Sequence, residues 1–281
     1  MSELDTAIQK RGENLPVTIK SLFSDEKIKK RFEEILGKKA QGFMSSVMNV
    51  TSNNKLLKTA DAQTVMSAAV VAATLDLPID PNLGFSYIVP YAGKAQFQMG
   101  YKGFVQLALR TGQYTKMNAI PVYKNQFKSW NGLTETLEAD FSVNGEGEIE
   151  GFAVYFELIN GFSKTAYFPK KDLLAHGKRY SKTFGNGPWQ TNPDEMCLKT
   201  AIKKTLTKWG ILSIEMQTAL KVDQGIIKKD NLDEDDSIEY PDANPIEADY
   251  EVMEQTRADL QNNFAQGDVF DQIKKESAGG K

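Results

Sequence analysis

The sequence predicts an α+β protein: a small antiparallel sheet packed with helices, preceded by a helical N-terminal region and followed by an acidic C-terminal tail. Three observations lead to that class. Apolar residues recur at helical spacing as far as Leu77, they alternate singly from Phe85 to Tyr91, and Asn160-Gly161 joins two later alternating segments with a strong hairpin signal. Three regions follow: 1–60, 61–229 and 230–281.

Residues 1–23 are polar and mixed, after which Ile28, Phe32, Ile35 and Leu36 mark one helix and Phe43 to Val50 a second. Asp61 then caps the strongest helix, which Pro78 stops. Its Ala68, Ala69, Ala72 and Ala73 permit close approach of a neighbour, so it belongs at the centre of the fold. Beyond Pro81 the period changes: Phe85, Tyr87, Val89 and Tyr91 share one face, Ala92-Gly93 turns, and Ala95 to Met99 returns. That hairpin feeds a helix from Tyr101 to about Thr111. Further strands are expected at Met117 to Tyr123, Leu137 to Val143, Gly151 to Leu158 and Phe162 to Phe168. A short helix near Lys170 to Gly177 leads into GKRYSKTFGNGPWQTNP, whose glycines and prolines argue against regular structure. Then DEMCLKTAIKKTLTKWG reads as a helix with acids at its start and Gly210 at its end, as the helix dipole favours. Past Asp230 a solvated linker is expected. Ile246, Tyr250, Met253, Leu260 and Phe264 suggest one tail helix, and Val269, Phe270 and Ile273 a second.

Composition narrows the function. The chain has 281 residues, 41% of them hydrophobic, enough for a full core. It shows neither a membrane-length apolar run nor the apolar middle of a secretory signal, so the expected location is the cytosol. One cysteine, Cys197, and one histidine, His176, give no internal disulfide, zinc set or Cys-His nucleophile couple. Cys197 reads as a helix core residue and His176 as a loop or helix-end residue. The phosphate-cradling G-x-x-x-x-G-K-[ST] pattern is absent, and Gly185-Asn186-Gly187 is too short for a dinucleotide fingerprint. No cofactor is expected, Mg²⁺ serving only as a counterion.

The net charge of −3 conceals a division. From Asp230 onward there are 15 acidic and 4 basic residues, which leaves 22 acidic and 30 basic residues in 1–229. A body at +8 tied to a tail at −11 points toward a polyanion.

Three elements concentrate the positive charge. On the helix after the hairpin, Phe104, Leu107, Ala108 and Thr111 form a buried stripe while Lys102, Gln106 and Arg110, spaced i, i+4, i+8, line the opposite side. On the later helix Leu198, Ala201, Ile202, Thr205, Leu206 and Trp209 fill one side, and Lys199, Lys203, Lys204 and Lys208 spread over the other with no glutamate among them. Such a face repels itself unless something negative lies on it. Between the helices, Lys178, Arg179 and Lys182 are interleaved with Tyr180, Phe184 and Trp189, the mixture of cations and rings that a single strand needs. Lys164 to Lys208 holds ten basic residues against three acidic. Each element also has a plain reading: a solvated polar face for the first, and for Phe184 and Trp189 a plug on the core. Tyr101 is equally ambiguous. With no base-reading motif, binding to the backbone fits best.

The stretch GFSYIVPYAGKAQFQMGYKGFVQLALRTGQY, with KTAIKKTLTKWG downstream, resembles the RecT family of phage and prophage single-strand annealing proteins, related to Redβ. The match runs from about Thr59 to Ile211. The resemblance implies a core distantly similar to the eukaryotic Rad-type annealing proteins, homo-oligomers as rings or helical filaments, ATP-independent annealing and a partner exonuclease. By position it places Tyr101, Lys102, Gly103 and Arg110 in the family block and Lys199, Lys203 and Lys204 on the basic helix.

The expected function is therefore binding of single-stranded DNA, and of the annealed duplex, along one continuous positive trough. Residues 1–60 would drive assembly, 61–229 would bind and anneal DNA, and 230–281 would compete with DNA or dock a partner such as the exonuclease or a host single-strand-binding protein. No catalysis is expected. Two alternatives stand: a binding module that does not anneal, and a Mg²⁺-dependent nuclease using Asp140, Glu148, Glu150 and Glu157.

Overall fold

The computed structural model describes residues 17–228 and 238–241. The start of the polar N-terminus, most of the acidic run and both expected tail helices lie outside the described residues.

The N-terminal region is helical: α1 (Ile19–Ser24), α2 (Glu26–Leu36), α3 (Ala40–Asn53) and the single turn α4 (Lys55–Lys58). Caps set the boundaries. The Thr18 hydroxyl accepts from the Ser21 amide, Asp25 from Lys27, and Asn54 from Leu56 and Leu57. Phe23 meets Phe32 edge to face and Phe32 meets Phe43 at a tilt, with ring centroids 5.5 and 5.9 Å apart, in the core these helices share with α5 (Ala62–Thr74). The Asp61 carboxylate caps α5 from the Gln63 amide at 2.9 Å, and Ala68, Ala69 and Ala72 are wholly enclosed, so this helix holds the centre as its small residues predict.

Strands β1 (Ser86–Tyr91) and β2 (Lys94–Met99) form the first hairpin, with Ala92 and Gly93 both at positive φ, the geometry a two-residue turn needs. Ser86 and Ile88 face the core, while Tyr87 and Val89 point to a half-open side. The aromatic face is thus not the core face. Helix α6 (Tyr101–Arg110) enters so close to the chain before β1 that a Cβ on Gly100 would lie 2.0 Å from the Gly84 carbonyl oxygen and one on Gly103 2.3 Å from that of Phe85. The two glycines of the GYKG block are packing requirements.

The largest sheet is antiparallel, in the order β3 (Tyr114–Tyr123), β6 (Ile149–Leu158), β7 (Ser163–Pro169). Asn160-Gly161 turns β6 into β7, as expected. Between β3 and β6 stands a second hairpin, β4 (Phe127–Asn131) with β5 (Thr136–Ala139). The expected strand from Leu137 to Val143 is therefore shorter, ending where Asp140 turns back onto Ser142, and β4 went unforeseen because FKSWN does not alternate.

Helix α7 (Lys170–Tyr180) runs three residues past its expected end, and Pro188–Thr191 forms a turn of helix, α8, so the basic segment read as a loop is helical at both ends. Helix α9 (Pro193–Trp209) follows, then the unforeseen α10 (Ile214–Val222), capped by Ser213. A last ribbon pairs β8 (Ile226–Ile227) with β9 (Ile238–Glu239). Part of the segment read as linker thus returns to the core: Glu239 meets Lys94 at 3.0 Å and Lys228 at 3.3 Å, and the Tyr91 hydroxyl donates to the Pro241 carbonyl at 3.2 Å. No helix among the described residues is long and apolar enough to cross a membrane.

Candidate nucleic-acid interface

Helix α9 is the spine of the basic region. Its buried side carries Cys197, Ala201, Ile202 and Leu206, and burial pushes the Cys197 thiol up to about 11, so the residue packs as a small hydrophobe. Its lysines do not share one open face. Lys199 is 6% exposed, and its ammonium donates to Asp223 Oδ1 at 2.9 Å; Lys203 donates to Asp223 Oδ2 at 2.9 Å. The carboxylate missing from α9 is supplied by the residue that ends α10. Burial acts to raise the pKa of the enclosed Asp223 carboxyl, but the Lys199 and Lys203 charges and hydrogen bonds prevail and hold it at about 2. Burial lowers the Lys199 pKa, with Asp223 opposing. Lys199 is therefore a core ion-pair partner, which corrects its place on an open basic side, and Lys203 is half-exposed and shared with Asp223.

Arg110 is also spoken for. Its guanidinium donates to the Leu75 carbonyl at 2.8 Å and the Asp76 carbonyl at 2.7 Å, closing the C-terminal end of α5, and lies 3.8 Å from the Asp76 carboxylate. Of the Lys102, Gln106, Arg110 line, only Lys102 presents an exposed charge with no ion pair among the described residues; Gln106 is half-buried.

Other cations do converge. Lys178, Arg179, Lys182, Lys204 and Lys208 are exposed. The His176 pKa is pushed down to about 4, first by burial, then by the charges of Lys204, Lys203 and Arg179. One imidazole thus senses cations from both α7 and α9, and it packs at a tilt on Tyr180 at 4.5 Å, whose ring also receives the Arg179 guanidinium at 5.3 Å. This spot of positive potential was invisible in the sequence, where His176 and Lys204 are 28 positions apart.

The rings divide. Trp189 is 7% exposed and lies on Gly177, where a Cβ would come within 2.7 Å of the indole; Phe184, half-buried, packs beside it at 5.8 Å. Both plug the segment onto the core, and Trp189 has no open face for a base. Trp209, expected inside, is exposed instead, between Lys164 at 3.4 Å and Lys208 at 5.1 Å from its ring. Lys164, 5% exposed, reaches that position through Glu135 of the β4–β5 turn, at 2.5 and 2.6 Å. The trough drawn from sequence is thus interrupted at Arg110, Lys199 and Trp189.

Among the described residues no three His, Cys, Asp or Glu side chains group as a metal site. Glu157 is engaged by Lys116 at 2.9 Å and the Tyr155 hydroxyl at 3.2 Å, and Asp140 by Ser142.

A family model described as the RecT family matches residues 41–242. The chain belongs to the RecT family. Its similarity to "Uncharacterized protein YqaK" of Bacillus subtilis (strain 168) is 48% identity over 249 residues, 86% of this chain and 87% of that one. To "Protein RecT" of Escherichia coli (strain K12) it is 30% over 173 residues, 58% of this chain and 64% of that one. RecT membership supports a role in recombination and single-strand annealing, as the GYKGF block and its downstream helix imply. In this RecT-family chain the glycines of that block serve close packing and its arginine closes α5, so part of the family resemblance marks the fold.

Proposed function

We propose that this chain binds single-stranded DNA by its phosphates and promotes the pairing of complementary strands without nucleotide hydrolysis, acting as an oligomer. The observation that carries the reading is the set of cations that two helices bring together: Arg179 of α7, over the Tyr180 ring that packs against His176, and the exposed Lys204 of α9, both of which lower the His176 pKa. Lys178, Lys182 and Lys208 extend it on the same elements, and Lys102 adds a separate exposed cation on α6. Cations so placed displace condensed counterions, which gives affinity that ignores sequence and falls with salt.

Pairing itself is downhill by about 1.4 kcal/mol per stacked step, so the protein has only to reduce phosphate repulsion and hold the strand extended. Assembly through α1–α4 would place subunits along one strand and multiply weak contacts. The segment beyond residue 241 would dock an exonuclease or single-strand-binding protein. Mg²⁺ would act as a counterion only.

Mixing two labelled complementary oligonucleotides with the protein, without nucleotide, tests the reading. Faster duplex formation from intact strands supports it. Slower pairing indicates a binding module that does not anneal, and shortened strands in Mg²⁺ indicate a nuclease.

A further inference from the structure

A cavity of about 200 Å³ opens where the exposed side of the β1–β2 hairpin meets the start of α6 and the α8–α9 junction. Its walls include Tyr87, Tyr101, Met99 and Met196, with Thr191 at the rim. It is smaller than the ~300–1,000 Å³ of sites for drug-sized ligands and suits a single ring system.

Gln98 sets this cavity apart. It is 7% exposed, stands directly opposite Tyr87 on the hairpin face that lines the space, and its amide has no hydrogen-bond partner among the described residues. Its amide keeps access to solvent through the cavity, so a ligand that enters meets donors and an acceptor that no described side chain occupies. Beside it, the stem of Lys199 forms part of the wall while its ammonium is fixed by Asp223.

The surroundings identify the guest. The Tyr87 hydroxyl and the Lys102 side chain both lie within 3.5 Å of the point where a Cβ would stand on Gly84, so the Lys102 chain runs beside the Tyr87 wall. Glu195 and both phenols, Tyr87 and Tyr101, line the same space, and burial, then Glu195 and Tyr101, raise the Tyr87 pKa. Rings and thioethers on the walls, an unengaged amide inside and the exposed Lys102 side chain running beside Tyr87 match a nucleotide entering base first.

We infer that this cavity receives one nucleobase of the bound single strand, stacked among Tyr87 and Tyr101 and hydrogen-bonded by Gln98, with its phosphate near Lys102. The inference rests on the single-strand-binding reading and adds to it a contact with a base. A carboxamide offers a donor and an acceptor in either orientation, so it serves any base and the site does not read sequence. An unpaired strand surrenders a base at low cost, whereas a paired one must break a pair. The site therefore favours the single strand and yields its base as the complement arrives.

The test compares oligo(dT) with an abasic phosphodiester strand of equal length, using fluorescence anisotropy on the full chain. Wild type should bind oligo(dT) more tightly by at least about fivefold, the lower end of stacking on one ring. Gln98→Met removes the amide while keeping bulk, and Thr191→Phe blocks the mouth from an exposed position. Each should cut the oligo(dT) preference at least about threefold, on the same stacking scale, with abasic affinity and thermal midpoint held. A preference unchanged in both folded variants overturns the base site and leaves phosphate binding standing. Failure of wild type to bind either strand overturns both. Loss of assembly by light scattering at unchanged strand preference would show the cavity holding an aromatic side chain of a second copy, and would also overturn the inference.

Discussion

Lys199 and Asp223 form an enclosed ion pair, ammonium to carboxylate at 2.9 Å, that ties the middle of α9 to the end of α10. The Met99 amide donates to the same Asp223 oxygen at 2.9 Å, so one carboxylate joins the basic helix, α10 and the hairpin that feeds α6. Asp223→Asn strands a buried ammonium and should cost about 3–5 kcal/mol, measured by denaturant unfolding. Because the folded Asp223 pKa, about 2, lies below its ordinary 3.8, its contribution is complete above pH 4 and should fade as pH drops toward 2. An acid unfolding series in which Asp223→Asn keeps the wild-type slope between pH 4 and 2 would contradict this.

Arg110 and Lys204 should respond in opposite ways. Arg110→Ala opens the C-terminal end of α5 and should lower stability by about 1–3 kcal/mol with little change in the salt dependence of DNA binding. Lys204→Ala, Lys178→Ala and Lys208→Ala should leave stability nearly unchanged, while each reduces the slope of log affinity against log salt by up to about 1. Salt titrations beside thermal melts separate the two groups.

His176 reports on the patch. Its folded pKa, about 4, lies below the ordinary 6.5, so its neutral form is favoured on folding and stability should decline as pH falls from 6.5 to 4. A phosphate placed among Lys204, Lys203 and Arg179 offsets their charge and should raise this pKa. As the chain has one histidine, its ring proton signals can be followed by NMR with and without an oligonucleotide. An unmoved titration would place the DNA elsewhere.

Gly103→Ala and Trp189→Ala test packing in opposite directions. The first drives a methyl to within 2.3 Å of the Phe85 carbonyl oxygen and should cost about 1–3 kcal/mol. The second empties the space over Gly177 and should cost about 3–5 kcal/mol. Calorimetry reads both, and a Trp189 variant that folds normally but binds DNA poorly would restore that ring as a contact.

Local order along the chain was legible. The Asp61 cap, the alanines of α5, the Ala92-Gly93 and Asn160-Gly161 turns and, Trp209 apart, the apolar side of α9 follow from neighbours within a few residues, where period and capping act. Helix α10 and strand β4 escaped because short segments without a clear period take their form from what they pack against. The strand at Ile238 escaped because its acidic surroundings resemble a linker, and its pairing partner lies eleven positions earlier, at Ile227.

Charge shows the same division more sharply. The sequence by itself determined that the body carries excess cations and on which helices they sit, since charge and helical spacing are properties of the local chain. Only the tertiary structure decided which of them stay free, by bringing Asp223 to Lys199 and Lys203, the end of α5 to Arg110, and Lys204 toward Arg179. An ammonium's availability depends on whichever carboxylate or carbonyl comes within about 3 Å, and such neighbours arrive from 20 to 35 positions away along the chain.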